Sequence, residues 1–473
     1  KVEGTIQDVL NLRGLALKAA AQVESATQTA AFLGESLPGE SGPLQISSAI
    51  SDAEDKTYKL SDLTISSIAG EAGGNLTVGL GGSRPKLSGV LSTQNLNLNL
   101  LFNLFNGGKK TQAKPEKTAK KSRVFPNDPL PLDILKSFDV ELKFNAGQVQ
   151  WKQLLLTNLS IGVSVNEGRL ILSPITGKVA GGDADGRVEV HAQGSVATAK
   201  AVFKASQMDL RTLSGELKVE GKLDVDLRLL SRGSSLAGLM AGLKGRTVAV
   251  MGQGRVDNKN IQILGGDLAS GGYKLLNPSS KDANYTDINC GVSGFDINGG
   301  IAKVTGLVVD TPDMTVTGEG QVNLRDETLD LALKPYQKGG ATGLSLSFGE
   351  LAKSFRLGGT LANPSLQIDA GQTMLAAGKA AGGVLLFGPA GIAAALAGQS
   401  LGEGDPCLAA LESAKKGVGA SESGKGGEQK GTEYKGLSGT LKGVGESVKK
   451  LFSGQGTLPP SDKLSNPYGG GGH

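Results

Sequence analysis

Apolar and polar residues alternate along the stretch "ELKVEGKLDVDLRLL", residues 216–230. Successive side chains of a β-strand point to opposite faces, so this pattern predicts a strand with one apolar face and one charged face. The charged positions include Lys218, Asp224 and Arg228. The predicted apolar face consists of Leu217, Val219, Leu223, Val225, Leu227 and Leu229.

The same alternation recurs elsewhere in the chain. The segments "MTVTGEGQVNL" and "LDLALK", joined by "RDET", predict a β-hairpin. Its apolar face consists of Met314, Val316, Val322, Leu324, Leu329, Leu331 and Leu333. Residues 138–144 and 159–165 predict two further one-sided strands, and "FRLGGTLANPSLQIDA", residues 355–370, predicts a short strand pair interrupted at Asn363–Pro364.

An internal repeat relates residues 73–98 to residues 185–210 without gaps. Glycines at 74 and 186 and valines at 78 and 190 are among its identical pairs. The repeat indicates strands stacked along one axis, although chance similarity between two hairpins is the alternative.

Four further segments do not show clear strand alternation. The opening 5–33 suggests a strand leading into a helix, with a candidate helix over 15–33, and residues 234–245 predict a short helix on the sheet. Residues 107–128 are rich in lysine and lack apolar periodicity, which predicts a mobile surface loop. Contact of this loop with anionic lipid is the alternative. Residues 374–398 are small and apolar but interrupted, which favours two short helices covering an apolar opening over membrane insertion.

The last part of the chain, from Gly417, is rich in glycine, serine and lysine and is predicted to be a flexible tail. Residues 436–452 within it form a candidate amphipathic helix for a membrane surface. Docking on the protein itself and disorder are the alternatives.

Composition agrees with an extended β architecture. The chain has 473 residues, of which 72 are glycine and only 4% are aromatic, so large side chains for several compact cores are scarce. The net charge of +4 is too small to indicate nucleic-acid binding over the whole chain. Lys1 is the first residue and no signal peptide follows it, so we expect a fragment or a processed product.

Signatures of catalysis are missing from the sequence. The two histidines, His191 and His473, cannot form a triad or a metal cluster, so we expect no enzyme activity, cofactor or metal site. Cys290 and Cys407 lie far apart, and two inert thiols or a disulfide in an oxidising compartment are both open at this point. The feature that these observations leave unexplained is the large number of strands with one apolar face. A second sheet, helices or acyl chains must cover these faces from water.

Several segments together resemble the AsmA family. They are "RPKLSGVLSTQNLNL", "RVFPNDPLPLDIL", the region from "DILKSFDVELKF" to "DGRVEV", the region from "GFDINGG" to "LDLALKP", "FRLGGTLANPSLQID" and "GDPCLAALE". Their order and spacing cover roughly residues 40–415.

The resemblance implies a mainly β fold, with an elongated, curved antiparallel sheet that forms a taco-like groove built from repeats, a few short helices and a carboxy-terminal helical cap. The groove would comprise residues 1–106 and 129–371, with 372–416 as the cap and 417–473 as the tail. The apolar faces above, with Leu357 and Leu361, become the groove lining, and Cys290 and Cys407 a candidate disulfide between cap and last strands.

The resemblance also implies a location and a function. We expect a protein of the periplasm of a Gram-negative bacterium, anchored to the inner membrane by a segment upstream of this chain. It would bind or conduct phospholipid acyl chains in outer-membrane lipid homeostasis or assembly. The partners that the resemblance implies are phospholipid, membrane and other envelope proteins, with no nucleic acid. The alternative is a non-enzymatic envelope scaffold or assembly factor whose β core is filled by its own side chains and which binds other envelope proteins.

Overall fold

The computed structural model describes residues 1–11, 13–25, 42–53, 56–105, 123–215, 218–257, 284–312, 314–337, 355–368 and 406–416. The chain divides into two compact units, residues 1–429 and 430–473, and every described residue belongs to the first. Leu217, the apolar segment 374–398 and the candidate helix 436–452 lie outside the described residues.

The described part of the chain forms one open, curved sheet of twenty strands, which confirms the predicted fold class. Each strand pairs with the next along the chain, except that β13 pairs with both β14 and β15. The strands are Val2–Asp8 (β1), Arg13–Val23 (β2), Leu44–Asp52 (β3), Thr57–Ser67 (β4), Gly70–Gly79 (β5), Lys86–Asn97 (β6), Asp139–Trp151 (β7), Leu154–Asn166 (β8), Arg169–Val179 (β9), Gly182–Gln193 (β10), Val196–Asp209 (β11), Val219–Gly233 (β12), Lys244–Asp257 (β13), Tyr285–Ile288 (β14), Cys290–Asn298 (β15), Ile301–Asp310 (β16), Met314–Asn323 (β17), Thr328–Gln337 (β18), Phe355–Gly359 (β19) and Pro364–Ile368 (β20).

The strand pairs are antiparallel apart from β6 and β7, which are parallel. Register shifts interrupt many pairs near mid-strand, for example between Leu60 and Leu63 of β4 and between Ala205 and Met208 of β11. Such bulges bend a strand and increase its twist, so repeated bulges in neighbouring strands account for the curvature of the sheet.

Strand turns lie along two edges of the sheet, which we call rim A and rim B. Rim A carries the turns at 167–168, 194–195, 299–300 and 324–327 and the start of β7, and rim B carries the turns at 68–69, 152–153 and 180–181. The described helices are short: Leu98–Phe105 (α1), Ile134–Ser137 (α2), Leu210–Leu213 (α3), Leu236–Ala241 (α4) and Pro406–Lys416 (α5).

The candidate helix over 15–33 is wrong for its first part, because the alanine-rich residues belong to strand β2. β2 pairs with β1 on one side and β3 on the other, and these backbone hydrogen bonds override the helix propensity of alanine. Residues 26–33 lie outside the described residues.

The internal repeat has a structural counterpart. Gly74 of β5 opposes Leu91 of β6, and the equivalent Gly186 of β10 opposes Phe203 of β11, so both hairpins have the same register. Each hairpin is also followed at once by a short helix, α1 or α3. These shared features support duplication of one unit over chance similarity.

A strap, residues 123–137, runs along rim A. Val124 donates its N–H to Glu327 in the β17–β18 turn, Ala237 of α4 donates its N–H to the Pro126 carbonyl, and Gly168 donates to the Leu135 carbonyl. Residues 123–128 therefore differ from the predicted mobile loop. The buried Glu327 carboxylate holds them, a long-range contact that local composition does not reveal.

Candidate functional site: an apolar floor on one face of the sheet

One face of the sheet carries an unbroken row of apolar positions. Residues opposite each other on neighbouring strands share a face, so the pairing register traces the row from strand to strand. It contains only glycine, alanine, valine, leucine and isoleucine. The row is Gly4, Leu17, Ile50, Leu60, Leu76, Gly89, Leu142, Val163, Leu172, Val188, Ala201, Leu229, Gly245, Ile297, Ala302, Val322 and Leu329.

Two shorter rows flank this central row, and we call the three rows together the floor. The row toward rim A is Tyr58, Val78, Leu87, Val140, Val165, Leu170, Val190, Ala199 and Ser231. The row toward rim B is Gly74, Leu91, Phe144, Ile161, Ile175, Gly186, Phe203, Leu227, Thr247, Phe295 and Val304. No residue of the three rows is ionisable at neutral pH, so the floor is uncharged.

The predicted lining residues on strands fall on this face. Leu229 shares the central row with Val322 and Leu329, which joins the predicted faces of β12, β17 and β18. Leu331, two residues after Leu329 on β18, opposes Leu357 of β19. The remaining members on these strands are Val219, Leu223, Val225, Leu227, Met314, Val316 and Leu333.

Two predicted lining residues lie in rim A turns instead of on strands. Leu324 follows β17 and packs in a cluster with Ile297 and Ala302. Leu361 lies between β19 and β20, where its N–H donates to the Glu327 carbonyl. Leu217, the first residue of the predicted β12 face, lies outside the described residues.

Within the part of the chain that the structure describes, the elements that cover the floor lie mainly near the rims. At rim A the strap residue Leu132 packs on Ala192 and Ala197, and α4 with Leu243 packs on Ile297 and Ala302. At rim B, α3 residue Leu213 packs on a cluster of Ala180, Ala205 and Met208. Between the rims, the large side chains of the central row from Leu17 to Leu229 are only half-buried.

The reverse face is polar over β9–β12. There Arg169 and Arg187 each pair with Glu189, and hydrogen bonds, chiefly from Arg187, hold the pKa of Glu189 below its ordinary value despite partial burial. Asp224 departs from the predicted wet face, since it is only 5% exposed. Burial raises its pKa, although the Gln207 N–H at the β11 bulge donates to its carboxylate at 2.6 Å.

α5 packs on the reverse face farther along the sheet. Val292 on β15 and Val308 on β16 oppose each other on this face and are 3% and 0% exposed. Ala414 and Ala410 of α5 lie against Gly294 and Gly306, where the missing side chains let the helix approach closely. The described part of the predicted cap therefore covers the back of the sheet, not an opening of the floor.

A disulfide joins Cys290 of β15 to Cys407 of α5, the pair that the family resemblance suggested, with Cα atoms 6.3 Å apart. It connects residues 117 positions apart and fixes the helix to the reverse face. Within the described residues no group of acidic, histidine or cysteine side chains is arranged to hold a metal ion. Among those same residues, no helix has the length and apolar character needed to cross a membrane.

An open curved sheet with an uncharged apolar floor defines a groove-type β protein. The AsmA family model matches residues 54–307, more than half of the sequence, and the chain belongs to the AsmA family. AsmA family protein YhjG of Escherichia coli (strain K12) is 25% identical over 358 residues, which cover 72% of this chain and 51% of YhjG. The chain thus spans about half the length of this relative. No solved structure matches this chain. The proteins of the AsmA family are envelope proteins.

The predicted lining omitted the floor of the first eleven strands. The signal was present, because the one-sided strands at 138–144 and 159–165 already contained Leu142 and Val163 of the central row. Glycines such as Gly89 hid the continuity, since a glycine in an apolar row carries no hydrophobic signal. Only the register shows that such positions fill gaps in one surface.

Proposed function

We propose that this chain is a periplasmic, non-enzymatic member of the AsmA family that binds or conducts phospholipid acyl chains along the floor. Its role would be in outer-membrane lipid homeostasis or assembly. The observation that supports this proposal is the unbroken central row, which offers an uncharged apolar surface across most of the sheet. Each valine or leucine withdrawn from water contributes about 1.5–3 kcal/mol, and acyl chains lying on the floor would withdraw many of them together.

The disulfide supports the periplasmic part of the proposal, because such bonds persist in oxidising compartments. Membership of an envelope family agrees with this location. Attachment to the inner membrane, and contacts with other envelope proteins, are further parts of the proposal that rest on the family resemblance.

The test needs a charge on the floor and a matched charge on the reverse face. Neighbouring residues of β11 provide both, since Ala201 lies in the central row and Val202 points the other way, opposite Arg187 and Arg228. Both are half-buried. Val202→Glu places its carboxylate between two cations, so it should be tolerated, whereas Ala201→Glu places the same group where an acyl chain would lie.

The measurement is mass spectrometry of lipid that co-purifies after native extraction. We expect phospholipid with the parent protein and with Val202→Glu, and a several-fold loss with Ala201→Glu. Lipid binding would be refuted if the parent protein carries no phospholipid, the floor strands are protected from hydrogen exchange and the floor binds no apolar dye. That result would favour a scaffold with an internally filled core.

A further inference from the structure

Two covers leave the middle of the floor half-exposed at β11. The floor-facing residues of β11 nearest the two rims, Ala197 and Ala205, are 0% and 2% exposed. The three floor positions between them are half-buried. The strap covers the rim A end through Leu132, and α3 covers the rim B end through Leu213. The strap therefore determines where the accessible floor stops on the rim A side.

The two covers are held in different ways. α3 lies in the connection between β11 and β12, where the Asp209 side chain caps it and the Ser214 N–H donates to the Leu210 carbonyl. The strap lies in the connection between the parallel strands β6 and β7, and its partners belong to the turns of other strand pairs. Moving α3 away would disrupt its own hairpin connection, whereas moving the strap would break only separate contacts. The strap is the cover that can detach while the sheet stays paired.

The sequence of the strap limits its attachment to separate contacts. Pro126, Pro129 and Pro131 have no N–H, so this stretch cannot form a continuous ladder of hydrogen bonds with the turns beneath it. Between these prolines, Leu130 donates its N–H to the Ser234 carbonyl at 2.8 Å. The proline rings also fix φ, so the segment has little conformational freedom whether it is attached or detached.

The two ends of the strap are anchored differently. The first end is held by the Glu327 carboxylate, which accepts hydrogen bonds from the guanidinium and two N–H groups of residues 123–125. The other end continues directly into β7, where the Asp139 N–H donates to the Pro85 carbonyl at 2.9 Å. One end is therefore fixed in the sheet, and the other depends on a single side chain.

We infer that the strap is a side gate of the floor, which releases at Glu327, turns about its junction with β7 and admits a phospholipid across rim A. Release uncovers Ala192 and Ala197, which oppose each other on β10 and β11 and extend the floor toward rim A. This adds about 7 Å of accessible floor along these strands, twice the rise per residue. The inference rests on the proposed function and adds where lipid would enter.

A thiol placed beneath the strap reports its opening without any lipid. The two native cysteines form the disulfide, so Ala197→Cys supplies the single free thiol, and its labelling by a maleimide follows the open fraction. Adding Glu327→Gln should speed labelling roughly tenfold to a hundredfold, because hydrogen bonds to a buried charge are lost. Ala205→Cys is the matched control, since Ala205 is similarly buried on the same strand but under α3. No acceleration at position 197, or equal acceleration at both positions, would overturn the gate.

A reversible lock tests whether lipid passes this gate. Pro129 and Ser235 oppose each other across an isolated antiparallel bridge between the strap and the start of α4. Such pairs have Cβ atoms about 4.5–5.5 Å apart, close to the roughly 3.5–4.5 Å that a disulfide needs. Pro129→Cys with Ser235→Cys should therefore tie the strap to the rim when the new thiols are oxidised.

The measurement is transfer of fluorescent phosphatidylethanolamine from vesicles to the full chain. Transfer should be several-fold slower with the lock oxidised than after mild reduction of the same protein, and faster in Glu327→Gln than in Asp326→Asn. The native disulfide should survive this reduction, because Cys290 and Cys407 are only 3% and 2% exposed, and intact mass after alkylation verifies it.

The rate and the final amount of transferred lipid separate this inference from the proposed function. A gate changes the rate alone, so the oxidised lock and Glu327→Gln should reach the final amount of the parent protein, whereas Ala201→Glu should lower that amount. Equal rates in the oxidised and reduced lock, with normal uptake, would overturn the gate and leave lipid binding by the floor standing. No uptake by the parent protein would overturn lipid binding and, with it, the gate as a lipid entrance.

Discussion

Glu327 is the side chain on which the strap depends most directly. It lies in the β17–β18 turn, is 2% exposed, and accepts hydrogen bonds from Arg123 Nε at 3.1 Å and from the N–H groups of Val124 and Phe125. The substitution Glu327→Gln keeps the shape of the side chain but removes its charge. It also replaces one acceptor oxygen by an amide that cannot accept the strap N–H groups.

The expected magnitude follows from the burial of these groups. A hydrogen bond to a charged group contributes about 1.5–3 kcal/mol, and a buried donor left without an acceptor costs about 1–3 kcal/mol. Losing the charge and one acceptor should therefore lower the free energy of strap opening by about 3 kcal/mol. Since about 1.4 kcal/mol corresponds to a factor of ten, the strap should open roughly a hundredfold more often.

Hydrogen exchange with mass spectrometry measures this opening in peptides that cover residues 123–132. Glu327→Gln should lose protection there, while peptides from the centre of the sheet keep theirs. Asp326→Asn is the matched control, because Asp326 lies in the same turn but is exposed. Within the described residues its side chain accepts a hydrogen bond from Asn323, which is not part of the strap. Unchanged protection in Glu327→Gln would refute the role of the carboxylate.

The same contact gives the strap a dependence on pH. Burial raises the pKa of Glu327, but the N–H groups of Val124 and Phe125 and the Arg123 guanidinium outweigh it, so the pKa lies below the ordinary 4.5. A lowered pKa means that the stabilisation is fully present above about pH 4.5 and is lost as the pH falls through the folded-state pKa. Protection of the parent strap, corrected for intrinsic exchange, should fall in that acid range, and protection in Glu327→Gln should not.

Three further predictions concern other parts of the sheet. Gly89→Ala should destabilise the protein by about 1–3 kcal/mol, because Gly89 has φ +145° and a Cβ there would collide with the Asn75 carbonyl. Gly252→Ala is the control, since there is open space around Gly252, and it should change stability by less than about 0.5 kcal/mol. Equal melting temperatures of the two variants would contradict this. Cys407→Ser should make α5 sensitive to proteolysis and increase binding of an apolar dye, since Val292 and Val308 lose their tethered cover; unchanged cleavage would show that packing alone holds the helix. Asp224→Asn should raise the melting temperature at pH 7, because burial raises the folded-state pKa and the ionised form opposes folding above it; a lower melting temperature would show that the charge is needed.

The sequence predicted those features that depend on alternation along a single strand. The one-sided pattern of β12 and the hairpin of β17 and β18 are confirmed, because a period of two residues determines which side chains share a face. The helix α4 also forms where its helical spacing predicted, and its Met240 packs against the same buried cluster as Leu229. Local periodicity was sufficient for each of these elements.

Features that depend on distant partners were not accessible in the same way. The strap is held by Glu327, about two hundred residues away in sequence, and nothing in "RVFPNDPLPLDIL" indicates an acceptor there. Asp224 alternates with valine and leucine as a surface residue does, yet the bulge at Gln207 buries it. β2 contains many alanines and pairs on both sides, so tertiary hydrogen bonding decided its conformation.

The two faces of the sheet are covered in different ways, and this contrast bears on what the floor is for. On the reverse face, α5 supplies small side chains that close onto Gly294 and Gly306, and Val308 is fully buried beneath it. On the floor, the described elements pack beside the rims and leave Val163 and Leu172 half-buried. The helix α5 that covers the reverse face is fixed there by the disulfide between Cys290 and Cys407. Under the proposed function, flexible acyl chains would contact this half-exposed floor and would not need a matching set of side chains there.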